Sequence, residues 1–419
     1  MTYEQALEWL HSTPRFGQAP GLSRIYELTA RLGLPQNRFP CVHIAGTNGK
    51  GSTSAMTASI LQAAGYKTAL FTSPYLEDFR ERMRINGSLI PKTELAGLAD
   101  LIRSAGRHME LTEFELVTAI GLTWFAQQGC DIAVLEVGLG GRFDATNIIP
   151  PPLAAAITAI ALDHTQILGN TVGQIAMEKA GILKSGSRAV LSPNQPAGVE
   201  EVIRRVCAER NIPLACPAPL PGPEEHETCT PILWRDRIIR LPLLGNIQRS
   251  NAAAALAVVE LLREQGWEIP DHAVVQGLES VRWPGRMELF RQRPPVLLDC
   301  AHNPDALAQL SQWVRDHFAG RPVSVVMGML ADKDHRAGIQ SVAAQCCRFY
   351  AAPPPSPRAL NPRETAAEAA KAGTAAVACA SVEEAVKRAL ANLEPDGALL
   401  VCGSIPLVGE ARKLLSTLL

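Results

Sequence analysis

The chain has 419 residues, 47% of them hydrophobic, and a net charge of −1, which suits two domains, or three at most, with sizeable cores. That balance leaves no basic footprint for nucleic acid or an anionic membrane surface, and no apolar run of about 18 residues predicts a membrane span. The ten cysteines form no Cys-x-x-Cys pair, and Cys346-Cys347 are adjacent and poorly placed to bridge each other, so reduced thiols in a cytoplasmic protein are expected.

Residues 1–11 and 23–32 carry the apolar spacing of helices. The first is amphipathic, with Glu4 and Glu8, and does not read as a signal peptide. Arg15, Phe16 and Gly17 are placed in the turn between them. Residues 39–45 have strand character and enter Gly46-Thr47-Asn48-Gly49-Lys50-Gly51-Ser52-Thr53, after which residues 54–64 are helical. Strand, glycine-rich turn, lysine, hydroxyls and helix is the arrangement that holds nucleotide phosphates. Glycines let N–H groups turn toward an anion, and the helix N-terminus adds partial positive charge. Lys50 can reach the terminal phosphates, and the Ser52 or Thr53 hydroxyl can meet a magnesium ion. The strict G-x-x-x-x-G-K-[ST] pattern is not met, because Gly51 follows the lysine and the hydroxyls come one place later.

A short strand at 67–71 leads into a long loop, 72–91, with Glu77 and Asp78 followed by Arg80, Arg82 and Arg84. Loops of this length inside a compact domain are usually functional. Residues 94–106 and 112–127 are helical by period, and 131–137 read as a buried strand. Glu136 lies in that strand, just before Gly138-Leu139-Gly140-Gly141. A carboxylate in an apolar strand is costly unless it meets a cation or hydrogen bonds, and this edge of an α/β sheet is where ligands bind. Magnesium ligation by Glu136 is therefore expected.

Another strand, 153–162, ends at Asp163-His164, and 171–182 reads as a helix with a glycine stop. A strand at 187–191, a helix at 199–210 and a Pro-rich, acidic surface excursion at 216–231 follow. An alanine-rich helix spans 247–264. The polar, stiff stretch at 287–295 marks the domain boundary. Beyond it the βαβα pattern returns, with strands at 295–299, 323–329, 348–352 and 398–401 and helices at 366–372, 382–390 and from Pro304, which sits at a tolerated first helical position. The predicted fold is α/β in two domains. Residues 1–287 would hold a P-loop-type, mostly parallel sheet flanked by helices, and 288–419 a smaller Rossmann-like domain.

These motifs, in this order, resemble one family. GTNGKGST is similar to the phosphate loop of Mur-type amide ligases, in the form carried by folylpolyglutamate synthase and dihydrofolate synthase. SPYLEDFRERMRING, from Ser73, resembles the family's substrate loop, with Tyr75 where histidine or another aromatic is common. EVGLGGRFDATN, from Glu136, matches almost letter for letter. Asp163-His164 through Leu168-Gly169, Glu178-Lys179-Ala180-Gly181, Trp283-Pro284-Gly285-Arg286, Asp299-Cys300-Ala301-His302-Asn303-Pro304, the Asp332-Lys333-Asp334 segment and Cys402-Gly403-Ser404 resemble further family motifs. After Ser404, Ile405-Pro406 replaces two residues that are often aromatic in the family.

The resemblance implies ATP-dependent joining of L-glutamate to a folate or pteroate carboxylate through an acyl phosphate, giving ADP and phosphate. It implies two magnesium ions on Ser52, Ser73, Glu136 and His164, with potassium a further candidate. Lys50, Glu136, His164 and Lys179 would be catalytic, Lys179 as a carbamate that turns a cation into an anion. Besides residues 46–53, Asn246, Gln248, Asn251, Arg286 and Asp299 would meet ATP. Tyr75, Arg82, Thr112, Phe114, Asp144 and Ala145 would line the folate or pteroate site, and His302 and Ser404 would position glutamate. The expected partners are ATP, glutamate, dihydropteroate, and tetrahydrofolate with its glutamates, acting on a monomer. A bifunctional enzyme is favoured over a monofunctional folylpolyglutamate synthase or a P-loop switch that only hydrolyses nucleotide. The substrate loop and the D-x-A-H-N-P motif oppose a muramyl-peptide ligase. Intact Lys50, Glu136 and His164 oppose a non-catalytic relative.

Overall fold

The computed structural model describes residues 1–14 and 21–419, so the turn assigned to Arg15, Phe16 and Gly17 lies outside the described residues. The first sheet is built from β1 (Cys41–Ala45), β2 (Thr68–Phe71), β3 (Met83–Ile85), β4 (Ser88–Leu89), β5 (Ile132–Glu136), β6 (Ala154–Ile157), β7 (Ala189–Leu191) and β8 (Leu214–Ala215). Their spatial order is β4-β3-β2-β5-β1-β6-β7-β8. The β3 pairings are antiparallel and the others parallel.

Successive residues of the central strands split between two cores. Ile132 and Val134 join Val42 and Ile44 against helices Lys50–Ala63 and Ile247–Arg263. Ala133 and Leu135 face helices Lys92–Ala105 and Glu113–Gln127 on the other side. This is the period-2 alternation of a pleated strand with both faces covered, which is why the run reads as continuously apolar. A hairpin of β9 (Thr230–Trp234) and β10 (Arg237–Leu241) adds Ile232, Trp234, Ile239 and Leu241 to the first of these cores.

The second sheet comprises β11 (Glu288–Gln292), β12 (Pro295–Asp299), β13 (Val323–Met327), β14 (Arg348–Ala351), β15 (Ala375–Ala378) and β16 (Ala398–Cys402). Its order is β11-β12-β16-β13-β14-β15, parallel except for β11.

Several elements differ from the sequence reading. The loop read over 72–91 contains the β3–β4 hairpin. Asn86 (φ 47°) and Gly87 (φ 78°) form its two-residue turn, the left-handed pair that matches strand twist. The helix read from 54 begins at Lys50, because Gly49 (φ 87°) turns the chain directly into it. The strand read over 153–162 stops at Ile157, because the next carbonyls turn away to bond the phosphate loop. The 216–231 excursion is anchored rather than loose: Leu233 N donates to Pro221 O at 2.6 Å, and Leu220 packs on the core. The β9–β10 hairpin, β11, β15 and helices Asp271–Ser280 and Arg336–Ala343 carry weak patterns that the reading passed over.

Candidate active site

β1 lies between β5 and β6, so the chain after β1 and the chain after β5 leave the sheet on opposite sides of one strand. A crevice at such a switch point, outside the C-terminal strand ends, is where open α/β sheets bind ligands. Residues 46–53 and 158–164 follow the ends of β1 and β6, and Glu136 is the last residue of β5.

The turn 46–49 is shaped by contacts that exclude side chains. A Cβ on Gly46 would lie 1.8 Å from Thr158 Oγ1, and one on Gly49 2.3 Å from Asn251 Oδ1. The amides of Thr47 and Asn48 donate to Ala159 O at 2.8 and 3.1 Å, so they shape the turn rather than face a ligand. The Thr47 hydroxyl donates to Ala161 O at 3.1 Å. The helix starts at Lys50, and its first N–H groups, on Lys50, Gly51 and Ser52, have no partner within it. Unpaired amides at a helix N-terminus are the kind of group that can hold an anion. Lys50 Nζ donates to Thr47 O at 3.1 Å. Burial lowers the Lys50 pKa, and the Glu136 carboxylate works against that shift. Ser52 and Thr53 are buried, and Thr53 Oγ1 has no hydrogen-bond partner.

Glu136 is buried, and one carboxylate oxygen accepts from Ser73 N at 3.1 Å. Burial raises its pKa, with Lys50 opposing. Lys179 is buried, and its ammonium donates to Gly46 O at 2.6 Å. Burial first, then Lys50, brings its pKa down to about 7, within reach of the neutral amine that carbamate formation requires. His164 sits at φ 50° directly after Asp163, and burial lowers its pKa to about 4. The charges of Glu136, Arg286, Asp163 and Asp144 all act on Lys50, so these groups share one neighbourhood.

The second domain reaches the same crevice. Asn48 Nδ2 donates to Asp305 Oδ2 at 2.9 Å, and Asn303 Nδ2 donates to Asn48 Oδ1 at 3.0 Å. Lys333 Nζ lies 2.6 Å from Asp163 Oδ1 and 3.4 Å from His164 Nε2, and His302 Nε2 is 3.8 Å from Asp163 Oδ2. Burial alone would raise the Asp163 pKa, but Lys333 and His164 hold it at about 2. Burial and Lys333 bring the His302 pKa down to about 4, and His302 Nδ1 meets Cys300 O at 2.8 Å. Asp299 accepts from the amides of Met287 and Ala301, both at 2.8 Å; burial raises its pKa and Arg286 opposes. Ser404 is buried at the start of helix Ile405–Leu418, and its hydroxyl has no partner. Asp163, Asn303, Asp305 and Lys333 were absent from the predicted site. All four lie at or beside motifs quoted above, but pairing across the boundary has no sequence signature.

The other predicted residues divide by what they already touch. Gln248 and Asn251 are buried and bonded to each other at 2.9 Å, leaving Asn251 Oδ1 unpartnered beside Gly49, while Asn246 is exposed. Arg82 lies 5.2 Å from the Tyr75 ring centre, and Phe114 packs 6.1 Å from Phe71 and against Gly138. Thr112 caps helix Glu113–Gln127 in a reciprocal box with Glu115, a pairing worth about 1 kcal/mol. Asp144 accepts from the amides of Leu139 and Thr146 and from the Thr146 hydroxyl, which also meets His43 Nε2 at 2.8 Å. Its carboxylate therefore organises the glycine turn and Ala145 from within.

The donors fit magnesium. They are one carboxylate on Glu136, hydroxyls on Ser52, Thr53 and Ser73, and the His164 imidazole. Among the described residues no three His, Cys, Asp or Glu side chains gather as a metal cage. Magnesium characteristically takes one or two carboxylates and completes its shell with water and substrate phosphates.

Two family descriptions match the chain: "Mur ligase middle domain" over residues 44–202 and "Mur ligase, glutamate ligase domain" over residues 285–405. A Bacillus subtilis dihydrofolate synthase/folylpolyglutamate synthase is 40% identical over 80% of this chain and 81% of its own. The structure of Escherichia coli FolC in complex with DHPP and ADP superposes with a TM-score of 0.88 at 33% identity, covering 100% of this chain and 98% of that one. Mycobacterium tuberculosis folylpolyglutamate synthase, complexed with ADP and AMPPCP, superposes with a TM-score of 0.87 at 30% identity, covering 98% of each chain.

Proposed function

The chain belongs to the folylpolyglutamate synthase/dihydrofolate synthase family of Mur-type ligases, and on that premise we propose how its residues carry the reaction. It is an ATP-dependent acid–amino-acid ligase that joins L-glutamate to a folate or pteroate carboxylate, with ADP and phosphate as products. Phosphoryl transfer of this kind depends on placement and charge neutralisation more than on covalent side-chain chemistry.

The substrate carboxylate attacks the γ-phosphorus of ATP, the bond from that phosphorus to the β-phosphate oxygen breaks, and ADP leaves as the acyl phosphate forms. Residues 46–53 hold the β- and γ-phosphates, through the amides of Lys50, Gly51 and Ser52 and the Lys50 ammonium. Two magnesium ions would be held by Ser52, Ser73, Glu136 and His164, and bound there they would neutralise the charge that develops on phosphate. A carbamate on Lys179 would add an anion beside them; its lowered pKa supports this reading. Glutamate, positioned by His302 and Ser404, then displaces phosphate from the acyl carbon through its amine. With its pKa near 4, His302 is neutral at pH 7 and meets glutamate as an uncharged hydrogen-bonding group. Arg286 and Asp299, on the two sides of the boundary near 287/288, and Asn246, Gln248 and Asn251 complete the ATP site. Tyr75, Arg82, Phe114 and Ala145 contact the acid substrate, with Thr112 and Asp144 shaping their pocket from behind.

The observation that carries this reading is the convergence of unpaired helix amides, Lys50 and Glu136 on one crevice whose phosphate loop is bonded to the second domain through Asn48. The proposal includes dihydropteroate as well as tetrahydrofolate as acid substrate, because the sequence carries Thr112, Phe114, Asp144 and Ala145 at the matching positions. It also includes a monomer in a reducing, cytoplasmic setting, with potassium as a further ion. Labelled glutamate supplied with MgATP and either dihydropteroate or tetrahydrofolate tests it. Label should enter both products; entry into the tetrahydrofolate product alone would leave a monofunctional enzyme. ADP release without glutamate would favour the switch.

A further inference from the structure

In the proposed site the loop 73–82 works through Ser73, whose N–H meets Glu136, and through Tyr75 and Arg82. The segment between Tyr75 and Arg82 is held from the other domain. Arg412 Nη1 donates to Glu77 Oε1 at 2.7 Å. The same guanidinium grips both carboxylate oxygens of Glu288 at 2.9 to 3.1 Å and lies 5.6 Å from the Phe290 ring centre. Lys413 Nζ donates to Glu77 O at 2.8 Å. A Cβ on Gly409 would fall 2.0 Å from Leu76 O, so the helix Ile405–Leu418 and the loop touch backbone to backbone.

What happens at Glu77 is transmitted along the loop. The amides of Leu76, Glu77 and Asp78 all donate to the Glu81 carboxylate, at 2.9, 3.0 and 2.9 Å. Arg82, the next residue, lies against Tyr75 and Phe79. The helix that supplies Arg412 starts directly after Ser404, so one rigid element runs from the proposed glutamate end of the site to the acid-substrate loop.

Resting on the reading of 73–82 as the acid-substrate loop, we propose that Arg412 is a positioning residue that holds this loop in its acid-binding form by bridging Glu77 to Glu288. Arginine is the residue this geometry requires. Its planar fork can take a carboxylate bidentately, stack on a ring and still offer a third N–H, which an ammonium cannot do. Arg412 touches no reacting atom; its effect reaches the substrate through the loop.

The test uses the full chain with Arg412→Ala, Arg412→Lys and Glu77→Gln. The last leaves the Arg412–Glu288 grip intact and guards against loss of folding. Hydrogen exchange at the amides of residues 76–78 should speed up in all three, least in Arg412→Lys. The KM for the acid substrate should rise roughly tenfold in Arg412→Ala and Glu77→Gln, with kcat and the KM for ATP within about twofold of wild type. Unchanged exchange at 76–78 would overturn the proposal. Equal rises in the KM values for acid and ATP, with loss of melting temperature, would show a general structural role and overturn it too. Faster exchange with an unmoved acid KM would overturn the substrate-loop reading instead.

Discussion

Lys179 Nζ donates to the carbonyl oxygen of Gly46 at 2.6 Å, tying the end of helix Val172–Lys179 to the first residue of the phosphate loop. The contact puts a lysine where its charge is costly, and that cost makes the amine available for chemistry. With its folded pKa near 7, against 10.5 when exposed, the unfolded chain holds the extra proton across that interval. In CO2-free buffer, stability should therefore rise with pH from about 7 to 10.5, and Lys179→Met should abolish that rise along with activity. Carbon-13 NMR with labelled bicarbonate should show a carbamate in the wild type alone. A flat stability profile across this interval would remove the basis for a perturbed amine.

Glu136 is the converse case. Its raised pKa means the buried carboxylate costs stability above the unfolded value of 4.5, and the cost disappears below it. Glu136→Gln should abolish glutamate-dependent ADP release while melting at least as high as wild type at pH 7, the usual trade between function and stability. Lys50→Ala should likewise lose turnover and stay folded. Unchanged turnover in either variant would mean that the reaction centre lies elsewhere.

Lys333 and Asp163 face each other across the domain boundary with side chains only 9% and 11% exposed. Asp163, held at about 2, contributes stability above 3.8 that is lost as pH falls through 2. Lys333→Met strands that carboxylate, and should cost about 3 kcal/mol at pH 7 and abolish turnover. Adding Asp163→Asn should restore much of the stability but not the activity, so a double-mutant cycle in denaturant is the measurement. Additive costs would show that the two groups do not depend on each other.

Gly46 leaves no room for a methyl group. A Cβ there would meet Thr158 Oγ1 at 1.8 Å, Thr158 Cβ at 2.9 Å and its backbone nitrogen at 3.1 Å, so rotating the hydroxyl away cannot relieve it. Gly46→Ala should cost roughly 1–3 kcal/mol in stability and weaken ADP binding, read by melting and by calorimetric titration. Wild-type affinity in this variant would show that the loop moves more freely than its packing implies.

Much of this protein could be read along the chain. A phosphate loop announces itself because strand, glycines, lysine and helix are contiguous and each acts on its neighbours. Glu136 could be singled out because a carboxylate among Ile132, Val134 and Leu135 violates a local rule. The unbroken apolar, fully buried runs that define β1, β5 and β12 are equally local. Short edge elements such as β11 and β15 escaped because their stability comes from the sheet they join rather than from their own pattern.

Local order along the chain thus determined the family, the class of fold and the groups proposed to carry the chemistry, because those signals act over a few residues. Tertiary structure alone decided which of those groups meet. It placed Lys333 on Asp163, Asn303 on Asn48 and Arg412 on Glu77, pairs separated by 170, 255 and 335 residues. It also turned Asp144 and Thr112 inward, onto partners that saturate them. The physical reason is that a hydrogen bond or ion pair depends on distance and desolvation, and both are set by the packing of two sheets rather than by neighbours in sequence.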